Sequence, residues 1–201
     1  MADPQFPVLR TRRLILREIA PADADALFAI HGDTERMRWY GADPIASLEA
    51  AHLMAKSLAS WPYQTPPGVR WALERQDAPG LIGTCGLSSW NPAWRKCTLG
   101  YEIAPASEGQ GLMAEALRAA LGWGFGNLGL NRVEALVHPA NEASVRLLRH
   151  LGFAEEGRLR QVGYWGGGFH DMLQFSLLQA EWAQGAAREA AAGHRGCQGN
   201  V

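Results

Sequence analysis

The sequence predicts a single mixed α/β domain. Three observations lead there. Its 201 residues, 47% of them hydrophobic, suit one domain with a substantial core. The apolar period is helical near the start, two-residue in the middle, and then switches between the two. No internal repeat or linker-like stretch divides the chain.

The elements follow in order. Residues 1–10 read as an extended lead-in. Leu14 and Leu16 alternate with Arg13 and Arg17 as a first strand. Pro21, with Asp23 and Asp25, opens a helix whose apolar face is Leu27, Phe28 and Ile30. A second helix is expected from about Ile45 to Ser60, ended by the Pro- and Gly-rich loop Trp61 to Gly68. Val69, Trp71 and Leu73 alternate as a strand, and Leu81 to Leu87 and Cys97 to Ile103 are two more, joined through a hairpin loop at Ser88 to Trp94. Gly111 to Phe125 reads as a helix, Val133 to Val137 as a strand, and Asn141 to Leu151 as a helix capped by Gly152. Strands beginning at Phe153 and running from Phe169 to Leu178 follow, with Gly166 to Gly168 expected as a mobile loop. A short helix to about Ala191 and a frayed Ala- and Gly-rich end close the chain.

Composition excludes several classes. With 19 basic and 20 acidic residues there is no net field to draw nucleic acid or an anionic membrane. Cys85, Cys97 and Cys197 lack metal-ligand spacing and form no even disulfide set, which suits a reducing cytoplasm. The N-terminus, with acids and prolines and no apolar core, is not expected to be a signal peptide, and no apolar run is long enough to span a bilayer.

The most informative segment is Glu108-Gly109-Gln110-Gly111-Leu112-Met113. Small residues between a strand's end and a helix's start leave backbone N–H groups open to an anion, and the helix dipole favours negative charge there. No Gly-Lys-Ser/Thr follows, so it is not a Walker turn, and the dinucleotide glycine spacing is absent. On its own the turn also fits a plain surface turn with a glycine cap.

In context, the segment from Leu99 to Leu117 resembles the acyl-CoA binding motif of the GNAT superfamily, most of all the Rim-type branch of ribosomal-protein N-terminal acetyltransferases. Leu14-Ile15-Leu16-Arg17 is similar to that branch's first strand, and Ile82-Gly83-Thr84-Cys85-Gly86-Leu87 to its third. Asn131-Arg132-Val133-Glu134-Ala135 is similar to its central strand. Asn141 to Leu148 with Leu151-Gly152-Phe153 resembles its second conserved helix. The likeness covers roughly residues 8–183, expected as one acetyltransferase domain, with 184–201 a flexible tail.

The resemblance implies a mostly antiparallel mixed sheet of about seven strands flanked by helices. One strand, Leu99 to Ile103, would be bulged and splayed at the cofactor site. It implies acetyl-CoA as cofactor, with the pyrophosphate on the backbone of Gly109, Gln110, Gly111, Leu112, Met113 and Ala114, and Tyr101, Glu102 and Ile103 beside the thioester. Glu108 is an acid where the branch usually has an aromatic or basic residue, and it is expected to point to solvent. Ser144 is the candidate proton donor to the CoA sulfur and Asn141 a hydrogen-bonding partner in the site. The alternative is structural, a polar residue in the first helical turn for Ser144 and a plain N-cap for Asn141, and the resemblance favours the functional roles.

For deprotonation of the amine, Glu102 comes first, then Glu134, His138 or water. Cys85 and Cys97 read as buried small residues without an activating partner. His170-Asp171 reads as acceptor-site wall. Trp39, Tyr40, Trp61, Tyr63, Trp90 and Trp165 could line an acceptor cleft or simply pack. The acceptor is expected to be a primary amine, first a protein N-terminal α-amine such as that of a ribosomal protein. The alternatives are a small-molecule amine, which would call for an extra carboxylate from Asp33, Glu35 or Asp43, and a non-catalytic CoA sensor. A homodimer is common in that branch, though no residue here marks an interface.

Overall fold

The computed structural model describes residues 6–65, 67–185 and 187. Among the described residues eight strands form one sheet in the order β1-β2-β3-β4-β5-β6-β8-β7. The strands are β1 (Leu9–Arg10), β2 (Leu14–Glu18), β3 (Val69–Arg75), β4 (Ala78–Asn91), β5 (Lys96–Ile103), β6 (Arg132–Val137), β7 (Ala154–Trp165) and β8 (Gly168–Leu178). The helices include α1 (Ala24–His31), α2 (Thr34–Met37), α3 (Leu48–Ala59), α4 (Leu112–Asn127) and α5 (Glu142–His150), and the described part of the expected last helix is helical over 179–185. The strand beyond the expected seven is β1, two residues of the lead-in paired with β2. The tail expected over 184–201, with Cys197, lies almost wholly outside the described residues.

Alternation along the strands gives the sheet two apolar faces. Leu14, Leu16, Trp71, Leu73, Leu87, Leu99 and Val133 point to one side and pack with α4 and α5 in the larger core. Ala72 and Leu81 join Ile19, Leu27 and Ile30 under α1 and α3 on the other. Every strand pair is antiparallel except β5–β6. That parallel pair holds over only Lys96↔Arg132, Cys97↔Val133 and Thr98↔Glu134. Beyond it, β5 stays paired with β4 up to Ile103 and β6 with β8 up to Val137, so the sheet splits into a V.

The splay is as expected, but the bulge is elsewhere. The β4–β5 register is regular from Gly83↔Ile103 to Ser88↔Thr98, and the irregularity falls between Ser88 and Asn91, where Ser89 has φ 53°. That extra length sits in β4, next to the start of the β5–β6 contact. The loop expected at Gly166 to Gly168 is instead a tight turn. Trp165 pairs with Gly168, and Gly166 and Gly167 take φ 59° and 75°, the positive values a two-residue hairpin turn needs.

Candidate active site

A cleft of about 800 Å³ opens where β5 and β6 part. Its floor is the β5 segment from Thr98 to Ile103 and the β6 segment from Ala135 to Val137, and the start of α4 closes one end. Because adjacent strand residues face opposite ways, Tyr101 and Ile103 pack towards α4 and α5, whereas Glu102 turns to the side of α1.

On the α4 side, Gly109 and Gly111 adopt φ 70° and 71° and both line the cleft. A Cβ on Gly109 would meet nothing within 4 Å, so its glycine serves the backbone conformation and leaves the turn bare. Gly111 is the N-cap of α4 and no side chain caps the helix. The first N–H groups of a helix lack intrahelical partners, and here Leu112, Met113 and Ala114, which carry them, line the cleft. An uncapped helix start behind two bare glycines fits a diphosphate. Gln110 does not line the cleft. Its side chain folds back to donate to the Ala106 carbonyl at 2.8 Å, and its own carbonyl accepts from Arg13 at 2.9 Å. Glu108 is exposed as expected, and in addition accepts from Arg36 at 3.0 Å, which offsets an acid beside an anion site.

Asn141 and Ser144 both line the cleft. The Asn141 side-chain oxygen Oδ1 accepts from the Ser144 backbone N–H at 3.1 Å, so Asn141 is also the N-cap of α5. The Tyr101 hydroxyl is buried without a well-formed hydrogen bond. Burial pushes its pKa up to about 12, and the nearby Ser144 side chain opposes part of that rise.

On the opposite face lies a buried polar cluster. Arg70 donates to Glu102 and, through Nε, to Thr84 Oγ1 at 2.6 Å. Thr84 donates to the other Glu102 oxygen. The Tyr40 hydroxyl donates to Glu102 at 2.9 Å and accepts from Arg70 at 3.2 Å. His31 Nε2 stands 3.4 Å from Glu102 without hydrogen-bond geometry. Glycines make room for this. Gly86 pairs with Gly100 across β4 and β5, and a Cβ on them would come within 2.7 Å of Arg70 Cδ and 2.9 Å of Arg70 Nη1 respectively. Burial alone would raise the Glu102 pKa, but Arg70, His31 and Thr84 outweigh it and hold the carboxyl at about 2. Burial also drives the Tyr40 hydroxyl well up.

The other candidate bases are placed outside the cleft. Glu134 accepts from Arg132 at 2.8 Å and from Lys96 at 3.1 Å. His138 Nδ1 accepts from the Ala140 N–H at 3.1 Å, leaving the neutral ring's proton on Nε2. Burial, then the charges of His170 and Arg158, lower its pKa. Its ring stacks on Trp39 at 4.4 Å. Asp171 is tied to Arg158 at 2.7 Å and to the Gln161 N–H at 2.8 Å, so His170-Asp171 forms no relay. His170 instead stacks on Trp165 at 3.9 Å. Cys85 and Cys97 are buried, and burial pushes both thiols up to about 12.

Of the six aromatics considered for the acceptor side, Trp39, Tyr40 and Trp165 line the cleft. The tip of the β7–β8 hairpin is latched over it: Trp165 Nε1 donates to the Arg38 carbonyl at 3.0 Å, and the Gly166 N–H to Asp43 at 2.6 Å. Trp61 lies beside Arg70 instead, Tyr63 is exposed, and Trp90 packs against the core. Sequence reasoning missed Arg70, Thr84, His31 and Arg36. The one available signal was Gly86 with Gly100, two glycines in strand interiors, which mark a close approach.

A splayed sheet with an anion-ready turn on one side and an enclosed polar face on the other defines a coenzyme A-dependent acyltransferase. Residues 13–154 match the family model described as Acetyltransferase (GNAT) domain, and the chain belongs to that family. It is 41% identical over 174 residues to the uncharacterized N-acetyltransferase YoaA of Bacillus subtilis, spanning 87% of this chain and 98% of that one. It is 32% identical over 110 residues to the [ribosomal protein uS5]-alanine N-acetyltransferase of Escherichia coli, 54% of this chain and 57% of the relative. A crystal structure of spermidine N-acetyltransferase from Vibrio cholerae, in complex with CoA and spermine, shares the fold with a TM-score of 0.75 at 22% identity, covering 86% of this chain and 99% of that one. The protein is an N-acetyltransferase that uses acetyl-CoA and acts on an amine. No helix among the described residues is long and apolar enough to cross a membrane.

Proposed function

We propose that this chain acetylates the N-terminal α-amine of a polypeptide, such as a ribosomal protein, by direct transfer within a single domain spanning about residues 8–183. One observation carries the reading: no carboxylate lining the cleft, among the described residues, is left without a cationic partner. Glu102 is bound to Arg70 and Glu108 to Arg36. The three acids considered for a small polyamine are also committed elsewhere. Asp33 caps α2, Glu35 pairs with Arg38, and Asp43 holds Gly166.

Such a cleft has neither the net negative charge to hold a polycation nor a carboxylate with the proton affinity to strip an alkylammonium. An α-amine has a pKa of roughly 7.7–8.0, against about 10.4 for a lysine-type amine. At neutral pH a sizeable part of it is already the reactive free base, so water suffices to take the proton that leaves on attack. The uS5-alanine relative is named for this acceptor chemistry.

When bound, acetyl-CoA supplies the acyl group as a thioester. The N–H groups of Gly111, Leu112, Met113 and Ala114 would hold its diphosphate. Tyr101 and Ile103 would flank the reacting end, and the Ser144 hydroxyl would pass its proton to the departing sulfur and regain one from the water that takes it from the amine, with Asn141 fixing the backbone at Ser144. On the acceptor face Glu102, already charged and paired, fixes Tyr40 and Arg70 and does not itself act as base. A small neutral amine is the second reading, supported by the aromatic wall of Trp39, Tyr40 and Trp165.

The test is a competition at fixed acetyl-CoA between short peptides with free small N-terminal residues, N-blocked lysine peptides, spermidine and aromatic monoamines. Peptide α-amines are expected to have the highest kcat/KM at pH 7. Faster turnover of spermidine than of every peptide would exclude this reading.

A further inference from the structure

We propose that Arg13, on the loop between β1 and β2, is a positioning residue for the diphosphate turn: it holds the Gln110 carbonyl away from the anion and cancels the charge of Glu115. The inference rests on acetyl-CoA being the donor and concerns residues outside the cleft.

Glu115 lies in the first turn of α4, the helix whose N-terminus borders the cleft. A carboxylate there competes with an incoming anion for the same positive end. Three donors converge on it. Thr11 Oγ1 and the Arg13 backbone N–H reach Oε1 at 2.6 and 2.8 Å, and Arg13 Nε reaches Oε2 at 2.7 Å. Burial alone would raise the Glu115 pKa, but these hydrogen bonds prevail and hold it below its ordinary value. The carboxylate is therefore ionised and locally neutralised by one guanidinium.

The same guanidinium reaches the turn itself. Arg13 Nη1 donates to the Gln110 carbonyl at 2.9 Å. Gln110 lies between Gly109 and Gly111, both at positive φ, and glycine leaves its neighbouring peptide units more conformations than any other residue would. An anion site built from backbone requires the N–H groups inside and the carbonyls outside. Arg13 pins the Gln110 carbonyl on the outer side of the turn, and the Gln110 side chain is held by Ala106 and, at 3.3 Å, by Arg75. A planar guanidinium serves two acceptors at once, which an ammonium on a flexible stem does not reproduce.

The experiment separates positioning from folding by using a donor without phosphates. Arg13→Ala, Arg13→Lys and Glu115→Gln are compared with wild type for CoA affinity by calorimetry and for kcat/KM with acetyl-CoA and with acetyl-pantetheine. The expected result for Arg13→Ala is a loss of CoA affinity of about tenfold, the order of one charge-assisted contact. Its kcat at saturating acetyl-CoA, and its kcat/KM with acetyl-pantetheine, should stay within about twofold of wild type on the same grounds. Arg13→Lys should fall between the two. Should Arg13→Ala fail to fold, Arg13→Lys carries the comparison, with weaker CoA binding and unchanged acetyl-pantetheine use expected, while Glu115→Gln, which removes the competing charge and keeps Arg13, is expected to bind CoA at least as tightly as wild type. Equal loss with both donors, or unchanged CoA affinity in the folded Arg13 variants, would overturn the proposal. Wild-type protein that fails to bind CoA would instead point to the donor assignment.

Discussion

The Arg70 guanidinium and the Glu102 carboxylate are in direct contact, with side-chain exposures of only 5% and 8%. They sit on strands β3 and β5, separated by β4, and meet because Gly86 and Gly100 leave the intervening surface bare. A buried pair of this kind is costly to break from one side, because the partner is left charged and dry.

Arg70→Ala is therefore expected to destabilise the fold by about 3–5 kcal/mol. Arg70→Met with Glu102→Gln together should cost less than the sum of the single changes, and a double-mutant cycle by urea unfolding checks the coupling. Additive losses would show that the two residues do not depend on one another.

Acid stability follows from the same pair. The folded Glu102 value of about 2 lies below the ordinary 4.5, so its contribution is complete above about pH 4.5 and is lost as pH falls towards 2. Wild type should lose stability over that window more steeply than the Arg70→Met/Glu102→Gln variant. Parallel curves from acid titration of the unfolding midpoint would contradict it.

The rate profile should report the acceptor and not the protein. With a peptide α-amine, kcat/KM is expected to rise through roughly pH 8 as the amine loses its proton and then level off. Glu102→Gln should lower the rate through misplacement of Tyr40 while leaving the midpoint unmoved. A midpoint that tracks the Glu102 substitution would restore Glu102 as base.

Ser144→Ala is expected to lower kcat by about 10- to 100-fold, at or below the usual range for acid–base groups because a thiolate leaves readily. CoA affinity should change little. Tyr101→Phe, which removes a buried hydroxyl without a good partner, should be neutral or stabilising when its melting point is measured.

Gly111→Ala places a Cβ at φ 71°, a strain of about 1–2 kcal/mol. The melting temperature should fall, and CoA affinity should fall with it. Added CoA should recover less stability than it gives wild type.

Much of this was legible in the chain. The alternation of Leu14 and Leu16, the glycines before Leu112, and Asn141 ahead of Ser144 are local signals, and each produced the expected element. What was not legible depends on register. Glu102 reads as a free carboxylate until β3, β4 and β5 are aligned, since its partner lies 32 residues away. The same holds for Arg13 and Glu115, 102 residues apart. α2 has four residues, too few for a period to show. Gly166 and Gly167 read as mobile because a tight hairpin turn and a loose loop use the same residue, and only the pairing of Trp165 with Gly168 distinguishes them.

The short contact between β5 and β6 has a mechanical side. The five-stranded and three-stranded parts of the sheet are sewn together over three residue pairs. Bending between the two parts is concentrated on that seam, at the closed end of the V. Lys96 on β5 and Arg132 on β6 both grip Glu134 there, a rivet at the apex. The width of the opening at the far end is thus tied to that seam, and changes at Lys96 or Glu134 are expected to alter the spacing of β5 and β6 along the cleft.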